Sequence, residues 1–491
     1  MSSEKLLTKS RFVKGLRCEK LLWLSVHEPD ADELLVSPAM QLRFDTGHLI
    51  GERARLSFPA GVLIPKFEND IKSSIDMTRK ALSEGAGCIF EAAFRHEKLY
   101  CAIDVLERTS DGFRIIEVKS STKLKDEYIA DAAFQTFVAK KSGIRVHTVE
   151  IMVLNRDCRY PDLSNLFKRI EVTREVLDFL EGIGDDVDRI LMNMNTPQLP
   201  LSDRGPHCSE PHVCPFFDRC HQHLPEHYVD TLYMVKASTV DALLAMGCEV
   251  LSDLDEESRT SAIQRRQVRA VKKNQMIVEA GLGQCLSLFQ GPFGFLDFET
   301  VAPAIPVWNA CRPYDAVPVQ FSYHYERSGE LAHAAWIVTG AGDPRRGLAE
   351  ALIESCQEAR TIFAYNANFE KQCIKGLARE LSDLEAELMR IHDRIEDLLP
   401  VVRNYVYHPE FYGGFGLKVV LPLLCPDLSY QGLAITNGEV ASQLLESIAC
   451  GTAVWTDGER EKVLCDLRAY CELDTLGLVR LYQRLCDLGR L

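Results

Sequence analysis

The segment FGFLDFET, Phe293 to Thr300, places two acids inside an apolar and aromatic run. On an extended strand Asp297 and Glu299, two residues apart, leave the same face, and Phe298 leaves the other. Two carboxylates on one face can hold a divalent metal through oxygen ligands. Two matching features lie downstream. RTIFAYNANFEKQCIKGL reads as a strand running into a helix, with Asn366 and Glu370 at the junction. LRAYCELDTLGLVRLYQRL reads as a long amphipathic helix, on which Tyr470 and Asp474, four residues apart, share a face.

A second acidic group lies near the start. YCAIDVLERTSDGFRIIEVKSSTK reads as two strands joined by the turn SDG. Asp104 sits on the first strand, and Glu117 and Lys119 leave one face of the second. A hairpin brings Asp104 beside them. Such carboxylates hold Mg²⁺ or Mn²⁺, which lowers the pKa of a bound water and neutralises charge developing on a phosphate. A neighbouring lysine orients that water or stabilises the charged transition state.

The third feature is a set of thiols. Cys208, Cys214 and Cys220 are spaced C-x5-C-x5-C in HCSEPHVCPFFDRC. Zinc sites use tighter pairs, whereas a thiolate iron–sulphur cluster takes four cysteines at looser spacing. Cys18, in the basic and apolar opening helix SRFVKGLRCEKLLWL, is available as a fourth. Zinc and three free thiols are the competing readings.

These groups must be positioned by three blocks. Residues 1–225 begin helical, turn to strands and close on the cysteines. Residues 226–288 read as a helical connector, with a short helical hairpin at KASTVDALLAMGCEVLSDLDE followed by the basic run RRQVRAVKK, Arg265 to Lys273. That run either tracks a nucleic-acid backbone or is a solvated helix face. In residues 289–491, FGFLDFE, AVPVQFSYHYE and LAHAAWIVTG read as consecutive strands, followed by the helix RRGLAEALIESCQE and the strand RTIFAYN. YGGFGLKVVLPLL is a loop leading into a helix, where Lys418 either contacts phosphate or is solvated.

The pattern ID…EVK resembles the PD-(D/E)XK nuclease motif. TGHLIGERARLSFP resembles the helix that precedes the core of RecB-like nucleases, which implies Glu52 as a metal-binding acid and His48 as a further ligand. Gln135 in DAAFQTFVAKKSG matches the glutamine that follows the lysine strand in that family, although the aromatic usual four residues on is Ala139. One early cysteine with three after the nuclease core resembles the iron–sulphur RecB-like nucleases, and implies a 4Fe–4S cluster stapling the N-terminal helix to the end of its domain. In the last block, D-x-E, N-x-x-F-E and Y-x-x-x-D resemble the DEDDy exonucleases, the DnaQ-like branch of the RNase H fold. That resemblance implies two metals held by Asp297, Glu299, Glu370 and Asp474, with Tyr470 positioning the attacking water. The family's second motif normally ends in Asp. Glu370 departs from this, and Asp397 in IEDLLPVV is a nearby acid able to compensate.

The expected architecture is therefore α/β: a restriction-endonuclease-like N-terminal domain with an iron–sulphur staple, a helical connector and an RNase H-like C-terminal domain. The whole chain resembles a small bacterial family of such fusions. The resemblance implies a metal-dependent nuclease acting on nucleic acid, DNA in preference to RNA and single-stranded, in DNA repair or defence, alone, as a homo-oligomer or with a partner protein. The alternative is a nucleic-acid-binding or assembly protein with one or both sites inactive.

Bulk properties bound these readings. The 491 residues are 46% apolar and 26% charged, with a net charge of −15, which argues against a passive basic coat on nucleic acid. No apolar run reaches the roughly 18 residues of a membrane span. MSSEKLLTKSRF lacks the apolar stretch of a secretory signal, so the cytoplasm is the expected location, where the 17 cysteines stay reduced.

Overall fold

Short apolar runs, CIF, AAF and II, and the alternation of LYCAIDV between Cys88 and Val118 give strands packed into a core. In the computed structural model, which describes residues 5–58, 60–65, 70–202, 204–257, 261–429, 431–435, 437–452 and 454–490, they are the centre of a mixed sheet. Its strands are β1 (Leu7–Thr8), β2 (Val62–Leu63), β3 (Cys88–His96), β4 (Leu99–Thr109), β5 (Gly112–Val118), β6 (Val146–Leu154) and β7 (Phe167–Glu171). The order is β2-β3-β4-β5-β6-β7, with β1 paired to β4. β3, β4 and β5 are antiparallel, and β5 and β6 are parallel. A parallel pair needs a crossover, supplied here by the helix Asp126–Lys141. That helix buries Ala132, Ala133, Phe134, Val138 and Ala139 against the sheet. Phe134 stacks on Phe12 of the opening helix Lys9–Arg17 at 4.9 Å. Small residues let this helix sit close, which accounts for Ala139 where an aromatic is expected.

The chain divides into two compact units: residues 1–222 with 304–314, and residues 223–303 with 315–491. This differs from the three expected blocks. The middle segment is not separate, because Ala270 packs with Val401, Val402, Val406 and Leu421 in one apolar cluster. In addition, β8 (Ile277–Val278) pairs with β14 (Val406–Tyr407). The expected helical hairpin is one helix, Ala237–Ala245, followed by a single 3₁₀ turn, Leu251–Asp253. Gly247 at φ +81° turns the chain, and Asp253 accepts the Glu249 and Val250 N–H groups at 3.0 Å.

Residues 304–314 form a second unexpected feature, an excursion into the first unit. Ala304 joins Ile50, Leu154 and Cys158 in an apolar cluster. Tyr160 exchanges backbone hydrogen bonds with Ala310 and Cys311, both 3.0 Å, and the Tyr314 hydroxyl donates to the Ser120 carbonyl at 2.7 Å.

The second unit holds a five-stranded sheet of β9 (Phe293–Val301), β10 (Val317–Arg327), β11 (Glu330–Ile337), β12 (Thr361–Ala364) and β13 (Ile395–Asp397). Its order is β11-β10-β9-β12-β13. β9, β10 and β11 are antiparallel, whereas β12 runs parallel to both β9 and β13. On one face Leu296, Phe298 and Phe321 pack against helices Arg345–Ser355 and Asn368–Glu380 through Leu348, Leu352, Ile374 and Leu377. The opposite face carries Asp297 and Ser322, a cross-strand pair, beneath the 33-residue helix Asp457–Gly489. A capping box, Thr456 with Glu459, starts that helix. Among the described residues, no helix is long and apolar enough to cross a membrane.

Candidate metal-binding and catalytic sites

β9 delivers Asp297 and Glu299 to the face under the long helix, and one turn of that helix delivers Tyr470 and Asp474. Ligand oxygens of Asp297, Glu299 and Asp474 all lie within 4.8 Å of one another. Asp474 and Tyr470 are buried, 7% and 3% exposed, and Asp297 and Glu299 are half-buried. Burial, then repulsion from Asp474 and Glu299, pushes the Asp297 carboxyl well above its ordinary range. Burial and Asp474 likewise push Glu299 up to about 8, with Lys418 opposing. Three acids cannot all ionise at such a place without a cation, so the donor set fits a divalent metal.

Glu370 stands in the first turn of helix Asn368–Glu380. It adds to the repulsion on Asp297 but lies outside the close group of three. One of its carboxylate oxygens, Oε2, is buried without a hydrogen-bond partner, and burial raises its pKa to about 8. An orphaned carboxyl oxygen beside the acid group also fits a cation-binding donor set. Asn366, at φ 63°, donates its N–H to Asp397 at 2.9 Å. The same Asp397 oxygen caps helix Leu398–Tyr405 through the Leu399 N–H at 2.9 Å. Asp397 thus holds the junction through Oδ1, and its charge reaches Glu370, whose carboxyl it helps to raise.

Lys418, at the start of helix Leu417–Leu424, donates to the Tyr470 hydroxyl at 2.8 Å and lies over its ring. Tyr470 is pushed up by burial and by the nearby acids, so its phenol stays protonated. These groups open on a cleft of about 550 Å³, walled by Tyr233, Tyr365, Phe369, Phe415 and Arg403.

The hairpin in the first unit gathers the other set. Asp104 accepts the Val118 N–H at 2.8 Å. The Glu117 oxygen Oε1 receives Lys119 at 2.9 Å, and Oε2 receives the Gln135 amide at 2.5 Å. Burial and the Glu117 charge raise Asp104 to about 7. Burial also works against the Glu117 charge, but Lys119 and Lys9 prevail and hold that carboxyl well below its usual range. His48 and Glu52, both exposed on helix Pro38–Arg55, line the same cleft of about 870 Å³.

Two residues here are absent from the expected set. Lys9 reaches Glu117 Oε1 at 2.5 Å, and Lys119 also pairs with Asp131. Burial disfavours the Lys9 charge, yet Glu117, Asp104 and Asp131 together hold it above the usual lysine range. Asp131 lies four residues before Gln135, so the helical period that points to Gln135 also points to Asp131. Lys9 carries no such signal, being 108 residues from its partner. Because Lys9 and Lys119 share one Glu117 oxygen, a metal at Asp104 and Glu117 must compete with an ammonium already in place.

The four cysteines converge on one small cavity walled by Leu21, Leu24, Phe216 and Phe217. Cys18 is not inside a helix as expected. Its extended backbone, φ −164° and ψ 125°, breaks the opening segment into helices Lys9–Arg17 and Glu19–His27 and leaves its thiol at the joint. Cys214 donates its N–H to the Cys208 carbonyl at 2.8 Å. Arg17 to the His207 carbonyl, 2.8 Å, and Arg219 to Glu28 and Glu33, 2.6 and 2.8 Å, tie the same two segments together. Four thiols on a dry wall fit a thiolate-bound group.

Two arginines of the basic run are committed within the protein. Arg266 is buried and pairs with Glu279 at 2.9 Å, and Arg269 pairs with Glu256 at 3.0 Å. Lys272 and Lys273 are exposed, so the two readings of the run, a nucleic-acid track or a solvated face, now concern its lysine end.

No curated protein matches the chain. Residues 294–416 match the model of DUF2779, a domain of unknown function, and the match takes in Asp297, Glu299 and Glu370 and ends before Lys418, Tyr470 and Asp474.

Proposed function

We propose that the protein is a metal-dependent nuclease, with a 3′–5′ exonuclease-like site in its second unit and a RecB-like site in its first. The observation that carries this reading is the trio of half-buried Asp297 and Glu299 with buried Asp474, beside Tyr470 at the head of an aromatic cleft. The strand order β11-β10-β9-β12-β13 supports an RNase H-like second domain. The β3–β4–β5 hairpins and the crossover helix support a restriction-endonuclease-like first domain.

Asp297, Glu299 and Asp474 would hold the divalent cations, with Glu370 reaching them from the helix start. When bound, such cations activate water and neutralise charge at the phosphate. The chain's own groups do the rest. The protonated Tyr470 hydroxyl can orient the attacking water, and Lys418 fixes that hydroxyl and adds positive charge for the phosphate. Phe369, 40% exposed, and the half-buried Tyr233 offer faces on which unpaired bases stack, each worth about 1–3 kcal/mol, which suits a single-stranded end. In the first unit Asp104 and Glu117 would hold metal, Lys119 would assist, and Gln135 and Asp131 would orient them. The four cysteines would hold a 4Fe–4S cluster as a staple.

A second reading, binding without cleavage at the first site, is favoured by Lys9, whose ammonium already neutralises Glu117. End-labelled single-stranded DNA and RNA, incubated with Mg²⁺ or Mn²⁺, separate the readings. Asp297→Ala should abolish shortening from the 3′ end, and Lys119→Ala should abolish the remaining cleavage. If neither substitution alters the products, the two-nuclease reading fails.

A further inference from the structure

Beyond the acid trio, the long helix faces a second group of ligand-bearing side chains. His324 of β10 and His333 of β11 are direct cross-strand partners, with ring centroids 4.5 Å apart. Glu472 comes from the helix, and ligand atoms of all three lie within 4.8 Å of one another.

The hydrogen bonds behind the rings settle which nitrogens are available. The Thr475 hydroxyl donates its one proton to the Glu472 carbonyl at 3.1 Å. It must therefore accept from both His324 Nδ1, at 2.8 Å, and the Ser322 hydroxyl, at 2.7 Å. Ser322, its proton spent, must accept from His333 Nε2 at 2.9 Å. Both imidazoles then carry their proton on the nitrogen facing the protein, which leaves lone pairs on His324 Nε2 and His333 Nδ1. The latter stands 3.9 Å from a Glu472 oxygen, beyond hydrogen-bond reach. Burial pushes His324 down to about 4 and lowers His333 too, so both rings are neutral at pH 7. Two neutral imidazoles, each with one lone-pair nitrogen, and a carboxylate, their ligand atoms within 4.8 Å of one another, offer a donor set for a cation. Metal-binding histidines typically have the other ring nitrogen held in this way.

We propose that His324, His333 and Glu472 form a binding site for a zinc-class divalent transition metal, clamping helix Asp457–Gly489 to the β10–β11 hairpin. Two imidazole nitrogens and one carboxylate, with a fourth position for water, suit Zn²⁺. Mg²⁺ prefers all-oxygen sites, so this position and the acid trio should differ in metal preference. Asp474 of the trio lies two residues from Glu472, so the clamp would also help seat an acid of the neighbouring site.

The test is the zinc content of the full chain after dialysis against metal-buffered zinc, with thermal midpoints measured alongside. His333 and Glu472 are at the surface, so His333→Gln and Glu472→Gln should fold. Each should lose one equivalent of zinc per chain relative to wild type, and zinc should raise the wild-type midpoint but not theirs. Asp297→Asn should keep that equivalent. Thr475→Val, which removes the partner behind His324, should weaken it by roughly 10–100-fold. Because each readout is a difference between variants, zinc held by the cysteines does not affect it. Equal zinc in wild type and His333→Gln, or loss of the equivalent in Asp297→Asn instead, overturns the proposal.

Discussion

At the residue scale, the two acid groups differ in what already neutralises them. In the second unit, burial and mutual repulsion raise Asp297 and take Glu299 and Glu370 up to about 8. In the first, Lys9 and Lys119 hold Glu117 ionised. On the proposed reading, in which the trio holds the metal, removing one of its acids should therefore be costly. Asp297→Asn is expected to slow 3′-end shortening by more than the ~10–100-fold typical of a residue one step removed from a metal. Tyr470→Phe should fall within that range, read as single-turnover rates. Lys9→Met tests the opposite case. Freed of one ammonium, Glu117 should take Mn²⁺ roughly tenfold more tightly, about 1.4 kcal/mol, as measured by titration calorimetry on an Asp297→Asn background. Unchanged or weaker binding would show that Lys9 does not compete with metal. Of these residues, Asp297, Glu299, Tyr470 and Asp474 were legible because the strand period of two and the helix spacing of four put them on common faces. Lys9 was not, since its partner is brought to it only by the packing of the opening helix on the sheet.

At the element scale, the positioning of the trio depends on β9 lying close to β10. A Cβ at Gly294 would run into the ring and hydroxyl of Tyr323, a fully buried side chain. Gly294→Ala should cost about 1–3 kcal/mol by overpacking, seen as a lower urea midpoint at unchanged slope. Thr456→Ala, which removes the capping box of the long helix, should cost about 1 kcal/mol. The strands and this helix were readable from periodicity alone. The break at Cys18 was not, because EKLLWL continues a helical pattern and only the extended backbone at the thiol interrupts it. Nor was the fate of RRQVRAVKK. A helix face of arginines looks the same in sequence whether it meets water or, as here, Glu256 and Glu279.

At the scale of the whole molecule, the raised acids make stability depend on pH and metal together. Glu299 and Glu370 each move from an ordinary 4.5 to about 8, so between those values the folded chain binds more protons than the unfolded one. Stability from these groups is therefore highest near pH 4.5, falls as pH rises and levels off above pH 8. Glu117 acts the other way, but only below its unfolded value, where its ion pairs are lost as the carboxyl protonates. Without divalent cations, the thermal midpoint should drop between pH 5 and pH 8, and saturating Mn²⁺ should flatten that drop. A midpoint that ignores pH without metal would count against burial of the acids.

The division into two units was only half visible. The cysteines marked the end of the first, but PAIPVWNACRPYD reads as an ordinary proline-containing loop of the second. Its placement with Tyr160 and Ser120 has a consequence for how the molecule could be taken apart. A single nick near residue 222 would leave the N-terminal half without its own last piece, which the other fragment carries between β9 and β10. The fragments should stay together on a sizing column, and releasing them should need a denaturant. Exchange of either half between genes by a single crossover would strand that segment from its partners, so the two halves are expected to be inherited as one piece.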